Sequence, residues 1–300
     1  MTFKRIQIIY YISLLLIAII ILLLAFVIPH GGYIIEEPPM IIDEDNIPLS
    51  YTAIKPTVLE NATIIDTYES STALITIYTF RAFESDIVVA DVIVKQAEII
   101  RSGLAYNIFG GSNYVQTVSD MANERGAIFA INSDYANHYD KGIVIRNGQI
   151  LRSSISYRDA IALYNDGTVS SFKESSTTAN TLLSNGAWQV WSFGPVLVKN
   201  GLSVSSVNDG LQRSAVDNPR SAFGWISDFH YMFVAVNGRT SISKGVDIEE
   251  LADIMLMLDC REAYNFDGGG SSTMFFNGRV VNVPSQGDER KVGDCVYIVG

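Results

Sequence analysis

The sequence predicts an α+β fold: a mixed, hairpin-rich β-sheet with a few packed helices, preceded by one transmembrane helix. Three observations predict it. The N-terminus carries a long uncharged run, the rest of the chain alternates short β-branched and aromatic segments with turn dipeptides, and one later segment combines a helix cap with an apolar stripe.

Residues 1–30 are predicted to form a short cytoplasmic tail and a transmembrane anchor. Ile8 to Ile28 carries no charge, and a helix of about 20 residues crosses about 30 Å of hydrocarbon. Lys4 and Arg5 precede the run and Glu36 is the first charge after it. The positive-inside rule then predicts a single-pass protein of the cell membrane with its C-terminal domain outside the cytoplasm. A cleaved signal peptide and a buried core helix are the alternatives.

Residues 31–70 are predicted to form an acidic stalk, because they lack a sustained period and carry Pro38, Pro39, Pro48 and Pro56 among acidic residues. Residues 71–300 are predicted to form one domain, since they suffice for one sizeable core.

Strands are predicted where β-branched and aromatic residues cluster, at Ala73 to Phe80, Ile87 to Val94, Ala127 to Ile131, Ile143 to Ile145, Ala160 to Tyr164 and Tyr231 to Val236. Turn dipeptides between apolar runs tolerate the positive φ angles of tight hairpins. They occur at Asn147-Gly148, Asp166-Gly167, Asn200-Gly201, Asn237-Gly238 and Asn277-Gly278.

Two helices are predicted. The clearer one starts at Asp247, where Glu250 completes a capping-box pattern. Its apolar stripe comprises Leu251, Ile254, Met255 and Leu258. The other covers about Val115 to Arg125, with Val118, Met121 and Ala122 at similar spacing.

Charge and cysteine content limit the partners and the chemistry. The net charge is −11, and the first 32 residues hold two basic and no acidic residues, so the domain is more acidic than the whole chain. Such a field disfavours nucleic acid and anionic lipid, although local arginines can bind one phosphate group. Cys260 and Cys295 either form a disulfide or remain two separate buried thiols.

The most specific stretch is Asn265 to Met274, which contains Asp267, then Gly268, Gly269 and Gly270, then Ser271 and Ser272. Three consecutive glycines are costly to order, and a close backbone approach to an anionic oxygen is one reason for them. A tight bend between helix and strand is the alternative. The spacing and lysine of a Walker motif are absent.

Further candidates lie elsewhere in the chain. Arg220 and Arg290 offer planar guanidinium groups suited to phosphate or carboxylate, although a solvated surface arginine explains either one alone. Asn132 and Asp134 follow a predicted strand, where an Asx turn is equally compatible. Asp134, His138 and Asp140 match no zinc signature, so no metal site is predicted. Phe193-Gly194-Pro195 marks a bend that lets backbone approach the site, or a plain loop.

In this order, these stretches resemble the phosphodiester glycosidase family, and the resemblance runs from about Asp91 to the C-terminus. It rests on Asn132 to Tyr135, Gly142 to Gly148, Phe193 to Pro195, Asn218 to Arg220, Val236 to Arg239, Asn265 to Met274 and Glu289-Arg290. Ser133 and Asn237 depart from the family pattern, which often has a glycine and an aspartate there.

The resemblance implies hydrolysis between a sugar's anomeric carbon and a phosphodiester oxygen. An anchored domain outside a bacterial-type membrane favours an envelope glycopolymer or exopolysaccharide as the substrate. Our hypothesis for this reaction assigns Arg220 and Arg290 to the phosphate, Gly268 to Ser272 and Gly194 to the substrate, and Asp267 to the anomeric side as base or nucleophile. Asn132 and Asp134 would orient sugar hydroxyls or water. No cofactor is required by this mechanism.

Two other functions remain open from the sequence. One is a non-catalytic module that binds anionic glycans through the same pocket. The other is a metal-dependent phosphoryl-transfer enzyme that uses Asp267 and Asp134.

Overall fold

The computed structural model describes residues 7, 10–19, 32–40, 55–205 and 214–300. The described strands are β1 Tyr33–Ile34, β2 Thr63–Glu69, β3 Ala73–Ala82, β4 Ser85–Val94, β5 Arg101–Leu104, β6 Ile108–Phe109, β7 Ala127–Asn132, β8 Val144–Arg146, β9 Gln149–Arg152, β10 Asp159–Tyr164, β11 Val169–Lys173, β12 Ala187–Ser192, β13 Val196–Lys199, β14 Leu202–Ser203, β15 Arg220–Ser227, β16 His230–Val236, β17 Glu262–Asn265, β18 Met274–Phe276, β19 Arg279–Val280 and β20 Asp294–Val299. Four helices accompany them, α1 Thr57–Glu60, α2 Val118–Glu124, α3 Ala179–Ser184 and α4 Ile248–Met257.

The strands form three large antiparallel sheets. One has eight strands in the order β14-β13-β17-β15-β16-β4-β3-β2. Two have five strands, in the orders β11-β10-β12-β8-β9 and β19-β18-β7-β20-β5. The sheet-rich α+β fold predicted from the sequence is confirmed.

Side chains of the eight-stranded sheet alternate between two cores, as the two-residue period of a strand requires. Val88 and Phe223 face the core shared with the two five-stranded sheets. Their neighbours Val89 and Ala222 face α4. Helices α2 and α3 cover the outer faces of the two five-stranded sheets. The domain is therefore layered, with the large sheet between α4 and the two smaller sheets.

All six predicted strands are confirmed within two residues at each end, and four predicted turns join hairpin strands: β8 to β9, β10 to β11, β13 to β14 and β18 to β19. The hairpin predicted at Asn237-Gly238 is wrong, because β16 runs into a loop that leads to α4. Gly238 serves close backbone packing there. A Cβ on it would lie 2.8 Å from the Cα of Gly245 and 2.8 Å from the nitrogen of Pro219.

The two predicted helices are confirmed as α2 and α4. The Asp247 side chain accepts from the Glu250 amide at 2.8 Å, and the Glu250 side chain accepts from the Asp247 amide at 3.2 Å. The apolar stripe of this helix is buried, so α4 is held on the sheet by that face.

The prediction of a transmembrane anchor is corrected by the structure. None of the helices in the described parts of the chain has both the length and the apolar character to cross a membrane. Of the predicted span, residues 10–19 are described, and they are helical; residues 8, 9 and 20–28 lie outside the described residues. The single-pass localisation predicted with the anchor is therefore not supported.

Described parts of the predicted stalk contact the domain. Strand β2 pairs with β3 in the large sheet, and the Glu37 carboxylate accepts from Arg125 Nε at 2.9 Å and from the Tyr297 hydroxyl at 2.5 Å. Residues 41–54 of that segment lie outside the described residues. The folded region thus extends to the N-terminal side of the boundary predicted at residue 71.

The two cysteines are separate buried thiols, so the disulfide alternative is wrong. Cys260 lies in the core beneath α4 and Cys295 in the core beneath α2. Burial raises the pKa of the Cys260 thiol well above its ordinary value and that of Cys295 to about 12. Both thiols are therefore protonated at neutral pH.

Candidate active site

Loops at the ends of the sheets enclose a cleft with two adjoining cavities. The loops follow β7, β12, β16 and β17 and precede β15 and β20. One cavity has a volume of about 540 Å³ and the other about 600 Å³. Tyr135, Tyr139, Asp267 and Arg290 line both, so the two cavities meet at these four side chains.

The two cavities differ in charge. The first, called here the carboxylate lobe, is lined by three carboxyl groups, three basic side chains and aromatic rings, among them Asp134, Asp267, Asp294, His138, Arg290 and Lys291. The second, called here the arginine lobe, contains four guanidinium groups and the three consecutive glycines: Arg158, Arg220, Arg239, Arg290, Gly268, Gly269 and Gly270. An anion is favoured in the arginine lobe, because several positive charges converge there.

Asp267 stands where the lobes meet. Its Oδ2 accepts from Arg290 Nη2 at 3.1 Å, and Arg290 Nε donates to the Ser271 hydroxyl at 2.9 Å. Burial raises the pKa of the Asp267 carboxyl above its ordinary value, although Ser271 and Arg290 oppose the shift. The Asp267 side chain keeps about a quarter of its surface exposed, 26%, so a substrate atom can reach it.

The triple glycine lets the arginines approach the turn. A Cβ on Gly268 would lie 2.8 Å from the carbonyl oxygen of Pro219 and 3.6 Å from Arg220 Cδ. A Cβ on Gly269, whose φ is +63°, would lie 3.2 Å from Arg239 Nη2, and one on Gly270 would lie 3.4 Å from Arg290 Cδ. A Cβ on Gly268 would therefore clash with the Pro219 backbone and one on Gly269 would crowd Arg239, whereas one on Gly270 would make ordinary contact with Arg290.

The backbone amides of this turn are mostly used within the protein. Those of Gly269, Ser271 and Ser272 donate to the carbonyl oxygens of Pro219, Gly268 and Gly269 respectively. The expected cradle of successive amides is therefore reduced, and positive charge in the lobe comes chiefly from the arginine side chains.

Arg220 lines the arginine lobe and also holds its wall. Its Nε donates to the Val246 carbonyl at 3.0 Å, and its Nη2 donates to the Val216 carbonyl at 3.0 Å. Arg220 is 7% exposed. The guanidinium thus ties together two loops while adding positive charge to the lobe.

Asn132 lies behind the cleft and fixes its floor. Its Nδ2 donates to the backbone carbonyl of Asp267 at 2.6 Å. Its Oδ1 accepts from the Ser221 hydroxyl at 2.8 Å and the Thr273 amide at 3.1 Å. With both ends of its amide engaged, Asn132 positions the segment that carries Asp267.

Asp134 is buried beneath the carboxylate lobe. Its Oδ1 accepts from Arg146 Nη2 at 2.7 Å and from the Ala136 amide at 3.1 Å, and its Oδ2 accepts from the Ser192 amide at 2.8 Å. The side chain is 1% exposed. Both carboxylate oxygens are therefore committed to protein groups.

Phe193 and Gly194 shape the rim. Phe193 has φ of +82°, a costly conformation for an aromatic residue, and its ring stacks on Tyr139 at 4.6 Å. A Cβ on Gly194 would lie 1.9 Å from the Asn265 carbonyl oxygen. Gly194 therefore permits close packing of two backbones and does not itself line either lobe.

Of the predicted site residues, eight line the cleft: Asp134, Asp267, Arg220, Arg290, Gly268, Gly269, Gly270 and Ser271. Asn132, Gly194 and Ser272 lie behind it. Arg220, Arg290 and Asp267, which are far apart in sequence, all line the arginine lobe.

Sequence reasoning missed several cleft residues, among them Arg158, Arg239 and Asp294. Arg239 directly follows Asn237-Gly238, and the hairpin interpretation of that pair concealed it. Asp294 immediately precedes Cys295 at the start of the last strand, and its only sequence signal was a position four residues after Arg290. No group of three acidic, histidine or cysteine side chains in the described residues is arranged to hold a metal ion.

Comparison with known proteins decides the family. The model of the phosphodiester glycosidase family matches residues 125–299, which include nearly the whole cleft. The chain belongs to the phosphodiester glycosidase family. This agrees with the resemblance found in the sequence motifs.

Curated relatives match part of the chain. It is 30% identical over 196 residues to the SPbeta prophage-derived uncharacterized protein YomE of Bacillus subtilis (strain 168), covering 63% of this chain and 30% of that protein. It is 31% identical over 80 residues to the N-acetylglucosamine-1-phosphodiester alpha-N-acetylglucosaminidase of Bos taurus, covering 27% of this chain and 15% of that protein. The chain spans less than a third of the length of either relative.

Solved structures share the fold of this phosphodiester glycosidase domain. The zebrafish N-acetylglucosamine-1-phosphodiester alpha-N-acetylglucosaminidase catalytic domain, auto-inhibited by its pro-peptide, superposes with a TM-score of 0.60 at 18% identity, covering 86% of this chain and 99% of that one. A hypothetical protein from Synechocystis gives 0.61 at 14% identity, covering 79% and 64%. At these identities the likeness concerns the fold.

Proposed function

We propose that the cleft hydrolyses a sugar-1-phosphodiester, breaking the bond between the anomeric carbon and the phosphate oxygen. The observation that carries the proposal is the position of Asp267, where the lobe lined by four arginines meets the lobe that holds three carboxyl groups. A phosphodiester is an anion and a sugar is a neutral polyol. The arginine lobe suits the phosphodiester anion and the carboxylate lobe suits the sugar, so in our proposal the bond between them lies beside Asp267.

The arginine lobe supports departure of the phosphate. Arg239 and Arg290 line this lobe with Arg220, and guanidinium groups pair with phosphate oxygens through two parallel hydrogen bonds. The leaving phosphate monoester is a weak base, with a second pKa of about 6. Stabilising its charge therefore matters more than protonating it.

Asp267 supports the sugar side of the reaction. Glycoside cleavage passes through an oxocarbenium-like state, in which positive charge develops at the anomeric carbon. A carboxylate held at the junction by Arg290 and Ser271 stabilises that charge. Asn132 and Asp134 contribute by fixing the floor of the cleft, which holds Asp267 in place.

For the substrate, the proposal extends to a glycopolymer of a cell envelope or an exopolysaccharide that contains sugar phosphate linkages. Tyr139 supports this extension, since it lies at the rim of both lobes with 41% of its surface exposed. An exposed ring beside the cleft offers an apolar surface to a second sugar.

The test compares two ion pairs of nearly equal geometry. Asp267 pairs with Arg290 at 3.1 Å, and Asp66 pairs with Arg279 at 3.2 Å; the carboxylate side chains are 26% and 25% exposed. On the methyl phosphodiester of an N-acetylhexosamine 1-phosphate, Asp267→Asn is expected to lower kcat by about 100-fold or more, because it removes a charge aimed at the reacting centre. Asp66→Asn, the control, is expected to keep the wild-type rate.

Equal rates for Asp267→Asn and the wild type would remove Asp267 from the reaction. Saturable binding of the diester without any product would instead favour the glycan-binding module.

A further inference from the structure

Arg146 lies between two buried carboxylates beneath the carboxylate lobe. Its Nη2 is 2.7 Å from Asp134 Oδ1 and 3.0 Å from Asp294 Oδ2. The three side chains are between 1% and 5% exposed. One guanidinium charge thus faces two carboxylates. A proton on either carboxylate would make the net charge of the three side chains zero.

The two carboxylates differ in the use of their oxygens. Both oxygens of Asp134 accept hydrogen bonds from the protein. In Asp294, Oδ2 alone accepts the hydrogen bonds from Arg146 Nε and Nη2. Its Oδ1 accepts no hydrogen bond from the described residues, and Asp294 lines the carboxylate lobe. Asp294 is therefore the carboxyl that has an oxygen left for a molecule in the lobe.

Ser133 links the backbones of Asp294 and Asp267. Its amide donates to the Asp294 carbonyl at 3.4 Å, and its own carbonyl accepts from the Asp267 amide at 3.0 Å. Asp267 and Asp294 are thus bonded to the same residue and line the same lobe. Both residues border the same cavity of about 540 Å³.

We propose that Asp294 is a second catalytic carboxyl, which takes a proton from the water that attacks the anomeric carbon. The inference rests on the proposed function. In this step the water oxygen bonds to the anomeric carbon and one water proton moves to Asp294 Oδ1. The bond from the anomeric carbon to the phosphate oxygen breaks, and its electron pair leaves on the phosphate. The proton then passes to solvent, and Asp267 faces the positive charge on the sugar.

The charge environment of Asp294 fits a base that works near neutral pH. Burial raises the pKa of its carboxyl to about 7; the Asp134 and Asp267 carboxylates act in the same direction, and Arg146 opposes them. The other titratable or charged groups of the lobe are Tyr135, His138, Tyr139, Arg290 and Lys291. A base whose pKa lies near the working pH is the most effective one.

The experiment measures kcat/KM on the methyl phosphodiester from about pH 5 to about pH 9. The wild type is expected to gain activity with rising pH through about 7, because Asp294 must be ionised to accept the proton. Asp294→Asn is expected to lower the rate by about 100-fold and to remove this acid limb. Azide, which attacks without losing a proton, is expected to restore turnover of Asp294→Asn and to form a glycosyl azide.

Retention of the acid limb near pH 7 in Asp294→Asn, without azide rescue, would overturn the inference while leaving the glycosidase activity of the wild type intact. If the wild type cleaves no diester, the proposed function fails and the inference fails with it. Should Asp294→Asn not fold, carbon-13 NMR of aspartate carboxyls in the wild type decides. The assigned Asp294 carboxyl is expected to have a pKa well above that of an ordinary aspartate, because burial raises it, and an ordinary aspartate pKa for that carboxyl would overturn the inference.

Discussion

Gly269 makes a positive-φ turn beside a guanidinium group, and Gly126 makes a similar turn in open space. Their φ angles are +63° and +61°, and a Cβ on Gly126 would meet nothing within 4 Å. Alanine at either position costs about 1 to 2 kcal/mol of stability, because L-residues are strained in this region. Comparing alanine substitutions at the two glycines therefore distinguishes the effect of backbone strain from the effect of contact with Arg239.

Gly269→Ala is expected to lower kcat/KM about 10-fold or more, since its methyl group would displace Arg239 from the phosphate position. Gly126→Ala is expected to show a similar loss of stability with unchanged kcat/KM. Steady-state kinetics and thermal unfolding of both variants check this. Equal activity in the two variants would show that the glycine matters only for the turn.

Asp294 also makes the free energy of unfolding depend on pH. Its folded pKa of about 7 lies above the value of about 4 for an unfolded aspartate. The native state therefore binds the proton more tightly, and this contribution to stability is present below about pH 4 and lost as pH rises through about 7. The slope is at most about 1.4 kcal/mol per pH unit.

Asp294→Asn removes this titration and leaves Arg146 paired with Asp134. Relative to the wild type, the Tm of Asp294→Asn is therefore expected to be higher at about pH 8 than at about pH 5. Thermal unfolding of both proteins at the two pH values measures the change. A Tm difference that stays constant or falls with pH would contradict the raised pKa.

At the scale of secondary structure, the sequence predicted the features that depend on a few neighbouring residues, namely hairpin turns and a helix cap. Asn147-Gly148 and Asn277-Gly278 adopt the positive φ angles expected of hairpin turns, and Asp247 caps α4. The hairpin prediction at Asn237-Gly238 failed because the glycine is needed for close packing against the backbones of Gly245 and Pro219. The dipeptide itself carries no signal for these contacts.

The cap of α4 gives a test at this scale. Asp247→Ala is expected to lower stability by about 1 kcal/mol, because the Glu250 amide loses its acceptor. Asp253→Ala in the same helix, where the side chain is exposed, is expected to change stability by less than about 0.5 kcal/mol. Denaturant unfolding of both variants compares them. Equal losses would mean that the capping bond contributes nothing to stability.

For the whole molecule, the order of motifs predicted the family but could not predict which site residues face the cleft. Asp134 and Asn132 follow a strand as expected, yet Arg146 and Ser221 from other strands occupy their polar atoms. Which side chains face the cleft depends on the pairing of strands that are far apart in sequence. The sequence carries no local signal for that pairing. The anchor prediction used an apolar run and its flanking charges, and no helix in the described residues has both the length and the apolar character of a membrane span.

The layered architecture places the cleft where loops from the large sheet and from both smaller sheets meet. Phe223 illustrates the shared core, since its ring lies 5.1 Å from Trp191 in one smaller sheet and 5.2 Å from Phe233 in the large sheet. The packed core under the loops fixes the positions of Asp267 and the arginines relative to one another. Electrostatic stabilisation of a transition state requires such fixed positions.

The bond that breaks is the most direct test of the central claim. The wild type is incubated with the methyl phosphodiester of an N-acetylhexosamine 1-phosphate in water enriched in oxygen-18, and the methyl phosphate formed is examined by phosphorus NMR. Cleavage between the anomeric carbon and oxygen predicts methyl phosphate without the heavy isotope. Methyl phosphate that carries oxygen-18 would show attack at phosphorus and would contradict a glycosidase mechanism.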